Sequence, residues 1–395
     1  MDAKRSALRN LVRATSIAIL AAGLAGCTRA ATALPSAGSG TPPPTPPSSA
    51  GIASPSATLA DAGNEYYVVP ALISTEDGTL YSHQLGASAA SDTIVAIGTD
   101  ASFVPASSGN AIGHLQWLSS ASQTVAFGSP TAGSVETVAN MGIPLTSLSV
   151  GSLAYAQVDA AVVAFSNGVI KSSYALPTLQ PDPTAGGFPA GYKGVFGGVS
   201  TGQVSALVQT ADGHVLAFTS TGLASAVTDL MTGKTTLLTG YGTLGGAVLT
   251  PSGGIDVLAW RGYQPGYALH VVSLGGTSLS VVASMNTGVL PAGYLRDRLV
   301  SVSGYDAVLS VAAGDEASGV TLSVFGVEGT ALTPVASSKG AGLEIASGPA
   351  GTVYTFGGPA GNTVSQLDLA TGVLTRDLPS LRAPAGAYVV GIAGN

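Results

Sequence analysis

Glycine-bearing turn signals recur along this chain at a nearly constant spacing, and that period limits the possible folds more than any other feature of the sequence. The pairs Asp77 and Gly78, Asn167 and Gly168, Asp212 and Gly213, Gly253 and Gly254, Ser303 and Gly304, and Ala350 and Gly351 each sit between two apolar runs. Each pair can supply the positive φ that a tight hairpin demands. Counted on Gly78, Gly168, Gly213, Gly254, Gly304 and Gly351, the intervals are 90, 45, 41, 50 and 47 residues. The first interval spans two periods, with a weaker turn near residues 119–122 inside it. A second marker keeps the same time: Asp229, Leu230, Met231, Thr232, Gly233 returns as Asp368, Leu369, Ala370, Thr371, Gly372, 139 residues later. The two markers also hold their distance, 17 residues from Asp212 to Asp229 and 18 from Ala350 to Asp368.

Between the markers lie short stretches rich in Val, Leu, Ile, Tyr and Thr, such as residues 66–73 and 215–218, and no long window has helical periodicity. The chain is therefore expected to be all-β. A repeat of 40 to 50 residues built of short strands alone is the signature of a β-propeller, one four-stranded blade per repeat. Seven blades of about 45 residues over residues 65–395 fit the markers; six or eight blades, or a β-solenoid, are the alternatives. Pairing of residues 387–392 with a strand near 66–73 would close the ring and remove free sheet edges. Residues 361–379, GNTVSQLDLATGVLTRDLP, resemble a blade of the YVTN family, itself similar to WD-repeat and quinoprotein-type propellers. The resemblance implies the fold and says little about activity; at the family's tetrad this chain has Val353, Tyr354, Thr355, Phe356.

The N-terminus is of a different kind. Lys4, Arg5, Arg9 and Arg13 precede an uncharged stretch, residues 14–26, that ends Leu24, Ala25, Gly26, Cys27, and Cys27 is the only cysteine. A span needs about 20 apolar residues, so this stretch reads as a signal peptide (residues 1–26) rather than a transmembrane helix. The tetrad resembles the lipobox of bacterial lipoproteins, which implies that Cys27 is lipidated and becomes the mature N-terminus, with palmitate-like acyl chains as a membrane anchor. Residues 27–64 then form a disordered Pro, Ser, Ala and Gly-rich linker, because such a composition cannot bury enough apolar surface to offset its ordering entropy. A flexible chain of that length spans roughly 30 to 35 Å. The expected location is the bacterial cell envelope, facing outside the cytoplasm.

The formal charge is −7, and removal of residues 1–26 takes away four of 14 basic and one of 21 acidic residues, leaving 10 against 20. Nucleic acid is an unpromising partner for such a chain. His83, His114, His214 and His270 lie in separate repeats without metal-ligand spacing, so no metal and no cofactor is expected. Asp315 and Glu316 are too few for a calcium loop. Gly240, Gly242 and Gly245 match GxGxxG by letter only, and Gly233, Lys234, Thr235 lack the leading glycine of a phosphate loop and read as a hairpin turn. Gly198, Val199, Ser200, Thr201, Gly202 spell GxSxG by letter only, since a nucleophile elbow needs a strand-to-helix turn and no helical periodicity follows.

One irregular motif interrupts the repeats. Pro189, Ala190, Gly191, Tyr192 recurs as Pro291, Ala292, Gly293, Tyr294 and loosely at residues 384–388, each time ahead of a new blade. The first copy sits in a long loop, residues 178–194, and Arg261, Tyr263 and Tyr267 mark another aromatic, Gly and Pro-rich excursion. Loops on a rigid ring are where such scaffolds bind. Tyr192, Lys193, Arg261, Tyr263, Tyr267, Tyr294 and Arg296 are accordingly the candidate binding residues, with Arg298 beside them; the competing reading is that the Tyr rings fill gaps between blades. With no catalytic motif, the sequence favours a monomeric, non-catalytic module for an envelope protein or glycan. The alternative is a lactonase or other hydrolase working at the central channel.

Overall fold

The computed structural model describes residues 64–70, 78–84, 93–104, 115–119, 124–128, 135–139, 147–150, 153–166, 169–185, 200–261, 268–275, 279–289, 291, 293–315, 319–349, 351–357, 364–375 and 388–393, and among them there is no helix. The first strands are β1 (Asn64–Pro70), β2 (Gly78–Gln84), β3 (Thr93–Val104), β4 (Leu115–Ser119), β5 (Thr124–Gly128) and β6 (Val135–Ala139). A four-stranded sheet follows: β7 (Ser147–Val150), β8 (Leu153–Val158), β9 (Ala161–Ser166) and β10 (Val169–Ala175). Next comes a separate pair, β11 (Thr178–Leu179) with β12 (Ser200–Thr201). Four more four-stranded sheets complete the repeats. They are β13 (Gln203–Gln209), β14 (Val215–Ser220), β15 (Ser225–Asp229) and β16 (Thr235–Leu237); β17 (Thr243–Leu249), β18 (Ile255–Arg261), β19 (Ala268–Leu274) and β20 (Val281–Val289); β21 (Tyr294–Val300), β22 (Ala307–Asp315), β23 (Gly319–Glu328) and β24 (Ala331–Lys339); and β25 (Glu344–Ser347), β26 (Thr352–Phe356), β27 (Val364–Asp368) and β28 (Leu374–Thr375). The last strand is β29 (Tyr388–Ala393).

Each four-stranded sheet is an antiparallel meander, which is what short connections between neighbouring strands allow. The expected ring closure is present: β29 pairs with β1, Tyr66 opposite Gly391 and Tyr67 opposite Val389. In the same sheet β3 serves twice, pairing with β2 through Thr93, Ile94, Ala96 and Ala101 and with β4 through Ala101–Val104, so that β29 and β1–β6 form one seven-stranded sheet. The chain is thus an all-β propeller.

Burial explains why the strands lack simple alternation. The five residues Val215–Thr219 of β14 are all buried, as are Ile255–Ala259 of β18, because a second strand lies between sheets on both of its faces. Fourth strands are the opposite: β10 and β24 are exposed along most of their length. The cores lie between successive sheets. Leu148 and Tyr155 meet Leu207 and Val215. Phe218 and Val227 meet Val257 and Val272. Leu258 meets Leu299 and Leu309, and Val300 and Leu322 meet Ile345 and Leu367. Each such side chain contributes about 1.5 to 3 kcal/mol through its burial.

The turn markers divide into two kinds. Gly213, Gly253, Gly304 and Gly351 have φ of +89°, +83°, +98° and +74° and join the first strand of a sheet to its second. Asn167 and Gly168 fall outside the described residues, between the third and fourth strands of their sheet, and Gly78 opens β2. The even spacing in the N-terminal half therefore mixes turns that are not equivalent, and it survives because every unit has a similar length. The second marker is a true repeat. In both copies the aspartate carboxylate accepts backbone N–H bonds, from Met231 at 2.9 Å and from Ala370 at 2.9 Å, while Gly233 and Gly372 donate to the aspartate carbonyl at 2.8 Å. Gly233, Lys234 and Thr235 are the third-to-fourth strand hairpin of their sheet, as the sequence indicated.

Candidate functional site at the inner strands

The first strands β7, β13, β17, β21, β25 and the closing strand β29 lie side by side in succession, so they form the inner wall of the ring. Three consecutive members carry an irregularity near the end where the chain first enters the sheet, here called the leading end. The register shifts between Val204 and Ala206 in β13, Leu244 and Ala247 in β17, and Tyr294 and Arg296 in β21. Such bulges re-aim side chains.

On β21 the consequence is specific. The extra residue, Leu295, places Tyr294 and Asp297 on one face and Arg296 and Arg298 on the other. Tyr294 packs on the core shared with β17 and β18, and its hydroxyl donates to Asp297 Oδ2 at 2.7 Å. On the opposite face Glu344, the first residue of β25, takes both arginines: Arg296 Nη1 donates to Oε1, and Arg298 Nη1 donates to Oε2 at 2.7 Å. The side chains are 59% exposed for Arg296, 27% for Arg298 and 15% for Glu344. One carboxylate thus bridges two guanidinium groups across the junction of two sheets.

Burial dominates the electrostatics of this group. It pushes the Asp297 carboxyl up to about 7, against the Tyr294 hydrogen bond and the Arg296 charge, which pull the other way. Burial, with the Asp297 charge and hydrogen bond adding to it, raises the Tyr294 hydroxyl. Burial and then the neighbouring Arg296 charge bring Arg298 down to about 10, so it stays cationic at neutral pH. The arrangement can hold a proton on Asp297 near neutrality and presents an excess of positive charge toward the face of Arg296.

The other candidates are placed as follows. Arg261 ends β18 and is exposed at the same end of its sheet as the starts of the first strands, since Thr243 at the start of β17 lies opposite Trp260. Cys27, Tyr192, Lys193, Tyr263 and Tyr267 lie outside the described residues, as does His114. Tyr294 is a strand residue packed against an inter-sheet core, which agrees with the gap-filling reading for that ring. The long loop begins as structure: Leu179 of β11 packs on Ala224 and Ala226, and Asp182 Oδ2 accepts the Gly240 N–H at 2.7 Å. Its remainder, residues 186–194, is outside the described residues.

His214 lies in a turn, its Nδ1 2.9 Å from Asp229 Oδ2, and that hydrogen bond and charge raise its pKa. His270 is buried beside Tyr241, Nδ1 3.0 Å from Ser284 Oγ, and burial lowers its pKa. His83 lies on β2. Among the described residues no three His, Cys, Asp or Glu side chains approach closely enough to hold a metal ion. Gly240, Gly242 and Gly245 run from a loop into β17, with no helix beside them.

Asp297 and Glu344 were not singled out from sequence, although a signal existed. Arg298 and Glu344 are 46 residues apart, one repeat, and Gln157 likewise bonds the Val204 N–H, at 2.7 Å and 47 residues' separation. Residues one period apart on successive sheets can therefore be neighbours in a ring.

No protein-family model matches the chain, and no curated protein matches it. Solved structures do. A proposed 6-phosphogluconolactonase from Bacteroides fragilis superposes with a TM-score of 0.50 at 13% identity, over 85% of this chain and 98% of that one. A protein from Lactobacillus plantarum superposes with a TM-score of 0.51 at 14% identity, over 80% of this chain and 95% of that one. At such identities the likeness establishes the shared propeller fold and nothing about activity.

Proposed function

We propose that this chain is a seven-bladed propeller, tethered outside the cytoplasm by lipid on Cys27, that works as a non-catalytic binding module at the leading end of its ring. The blade count follows if the seven-stranded sheet is divided at β3, into β29, β1, β2 with the first half of β3 and the second half of β3 with β4–β6; the five four-stranded sheets make up the rest. The extracytoplasmic location rests on the leader and the lipobox-like tetrad.

The observation that carries the binding role is the convergence at one end of the sheets. Arg261 at the close of β18, the bulged start of β21 with Arg296, and Glu344 at the start of β25 all occupy it. Rigid strands hold these charges, and Tyr263 and Tyr267 follow Arg261 in the sequence. The test is a cross-linking capture from intact cells, comparing the lipidated protein with an Arg261→Ala, Tyr263→Ala, Arg296→Ala variant of equal abundance. A partner captured by the first and lost by the second is expected. Equal capture by both overturns the placement of the site, and no capture by either turns the reading toward small-molecule chemistry in the channel, the hydrolase alternative.

A further inference from the structure

We infer that Arg296 and Arg298 form a binding site for a carboxylate group on the inner rim of the ring. The inference rests on the recognition role above and narrows it to a ligand chemistry. Glu344 reveals the geometry, because its two oxygens are taken by one arginine each, so the guanidinium groups stand one carboxylate's width apart. Arginine forks match planar carboxylates with two parallel hydrogen bonds. A guanidinium has five N–H donors, and Arg296, with more than half of its side chain in solvent, keeps donors for a second anion while Nη1 holds Glu344.

Charge supports the same conclusion. Two cations face one anion here, and the Asp297 carboxyl, between them in sequence, is turned to the opposite face by the bulge and engaged by the Tyr294 hydroxyl. A local excess of positive charge in a chain of net charge −7 is selective by contrast with its surroundings. Arg298, mostly buried and bonded at 2.7 Å, is the fixed member; Arg296 is the one that reaches the ligand. A carboxylate of this kind could be borne by a sugar acid of a glycan or by a peptide C-terminus.

The experiment is calorimetric titration of the full-length protein in detergent micelles with D-glucuronate, N-acetylalanine, glucose and inorganic phosphate. One or both carboxylates should bind, and which of them binds separates the sugar-acid source from the peptide source. Arg296→Met, which keeps the aliphatic stem, should weaken binding about tenfold or more, the loss of one charge-assisted hydrogen bond. Glu344→Gln removes the competing internal anion and should tighten binding severalfold, a change that a purely structural role would not produce. The inference is overturned if neither carboxylate binds, if glucose or phosphate binds as well as they do, or if Arg296→Met leaves affinity unchanged. Failure here with a partner still captured in the cross-linking experiment would leave the recognition role standing.

Discussion

Replacing Glu344 by Gln tests whether the bridge between β21 and β25 also joins two blades. The substitution keeps the shape and one acceptor but leaves both arginines without a counter-charge. Arg296 is 59% exposed, so its share is that of a surface ion pair, about 0 to 1 kcal/mol. Arg298 is only 27% exposed and makes a 2.7 Å charge-assisted bond, whose loss costs about 1.5 to 3 kcal/mol because the guanidinium stays largely desolvated. The total is about 1.5 to 4 kcal/mol. With an unfolding entropy of about 2.1 cal/mol/K per residue over a domain of roughly 330 residues, that lowers Tm by about 2 to 6 °C. Thermal melts by circular dichroism, backed by calorimetry, measure it. The double-mutant cycle with Arg298→Met is the stricter assay, since the coupling between the two positions should be about 1.5 to 3 kcal/mol. A Tm within half a degree of wild type, or a coupling near zero, would refute the reasoning and make the bridge a bystander of the fold.

Three further expectations follow from other parts of the molecule. Gly342→Ala should cost about 2 to 4 kcal/mol, because a Cβ there would lie 2.3 Å from the Phe356 backbone nitrogen; Gly213→Ala, with φ of +89° but nothing within 4 Å, should cost only about 1 kcal/mol, so denaturant melts showing equal losses would contradict the packing. The Asp256 carboxyl is pushed up to about 6, by burial first and by Asp306, against the Ser273 hydroxyl bond at 2.5 Å. Its native form therefore binds a proton more tightly than the unfolded chain does, and the domain loses stability from this group as pH rises from about 4 through 6. Asp256→Asn should raise Tm at pH 8 by an amount equivalent to roughly 1 to 2 kcal/mol and change it little at pH 4; a lower Tm at pH 8 would show the charge to be stabilising. Finally, Cys27→Ala should leave the protein unprocessed or released from the membrane, and its recovery in the detergent phase on partitioning would exclude lipidation as the anchor.

Much of the architecture was legible because a propeller writes its repeat into the spacing of residues that must adopt unusual backbone conformations. Asp229 and Asp368, 139 residues apart, both cap the same hairpin with the same hydrogen bonds, and only a residue that accepts backbone N–H groups, followed by Gly at φ of +72° or +69°, satisfies that turn. Local chemistry of this kind survives in a chain read by itself. The pairing of 387–392 with the first strand was likewise inferable, since an unpaired edge is a liability that a ring removes. Where turn chemistry is shared by different hairpins, as at Gly168 and Gly78, the sequence supplied the period without the position in the sheet.

The site was decided elsewhere. From sequence alone, Tyr294 and Arg296 looked like residues of one binding loop, and Arg298 like another surface charge. A single bulge at Leu295 sends Tyr294 and Asp297 into one inter-sheet junction and both arginines into the next, where Glu344 waits from 46 residues further on. Turn types, strand lengths and the repeat are properties of a few neighbouring residues, so the sequence by itself determined an all-β ring of short antiparallel sheets. Which face a side chain takes, what it meets across a junction and whether burial leaves it charged depend on register and on contacts one full repeat away, and only the tertiary structure decided those.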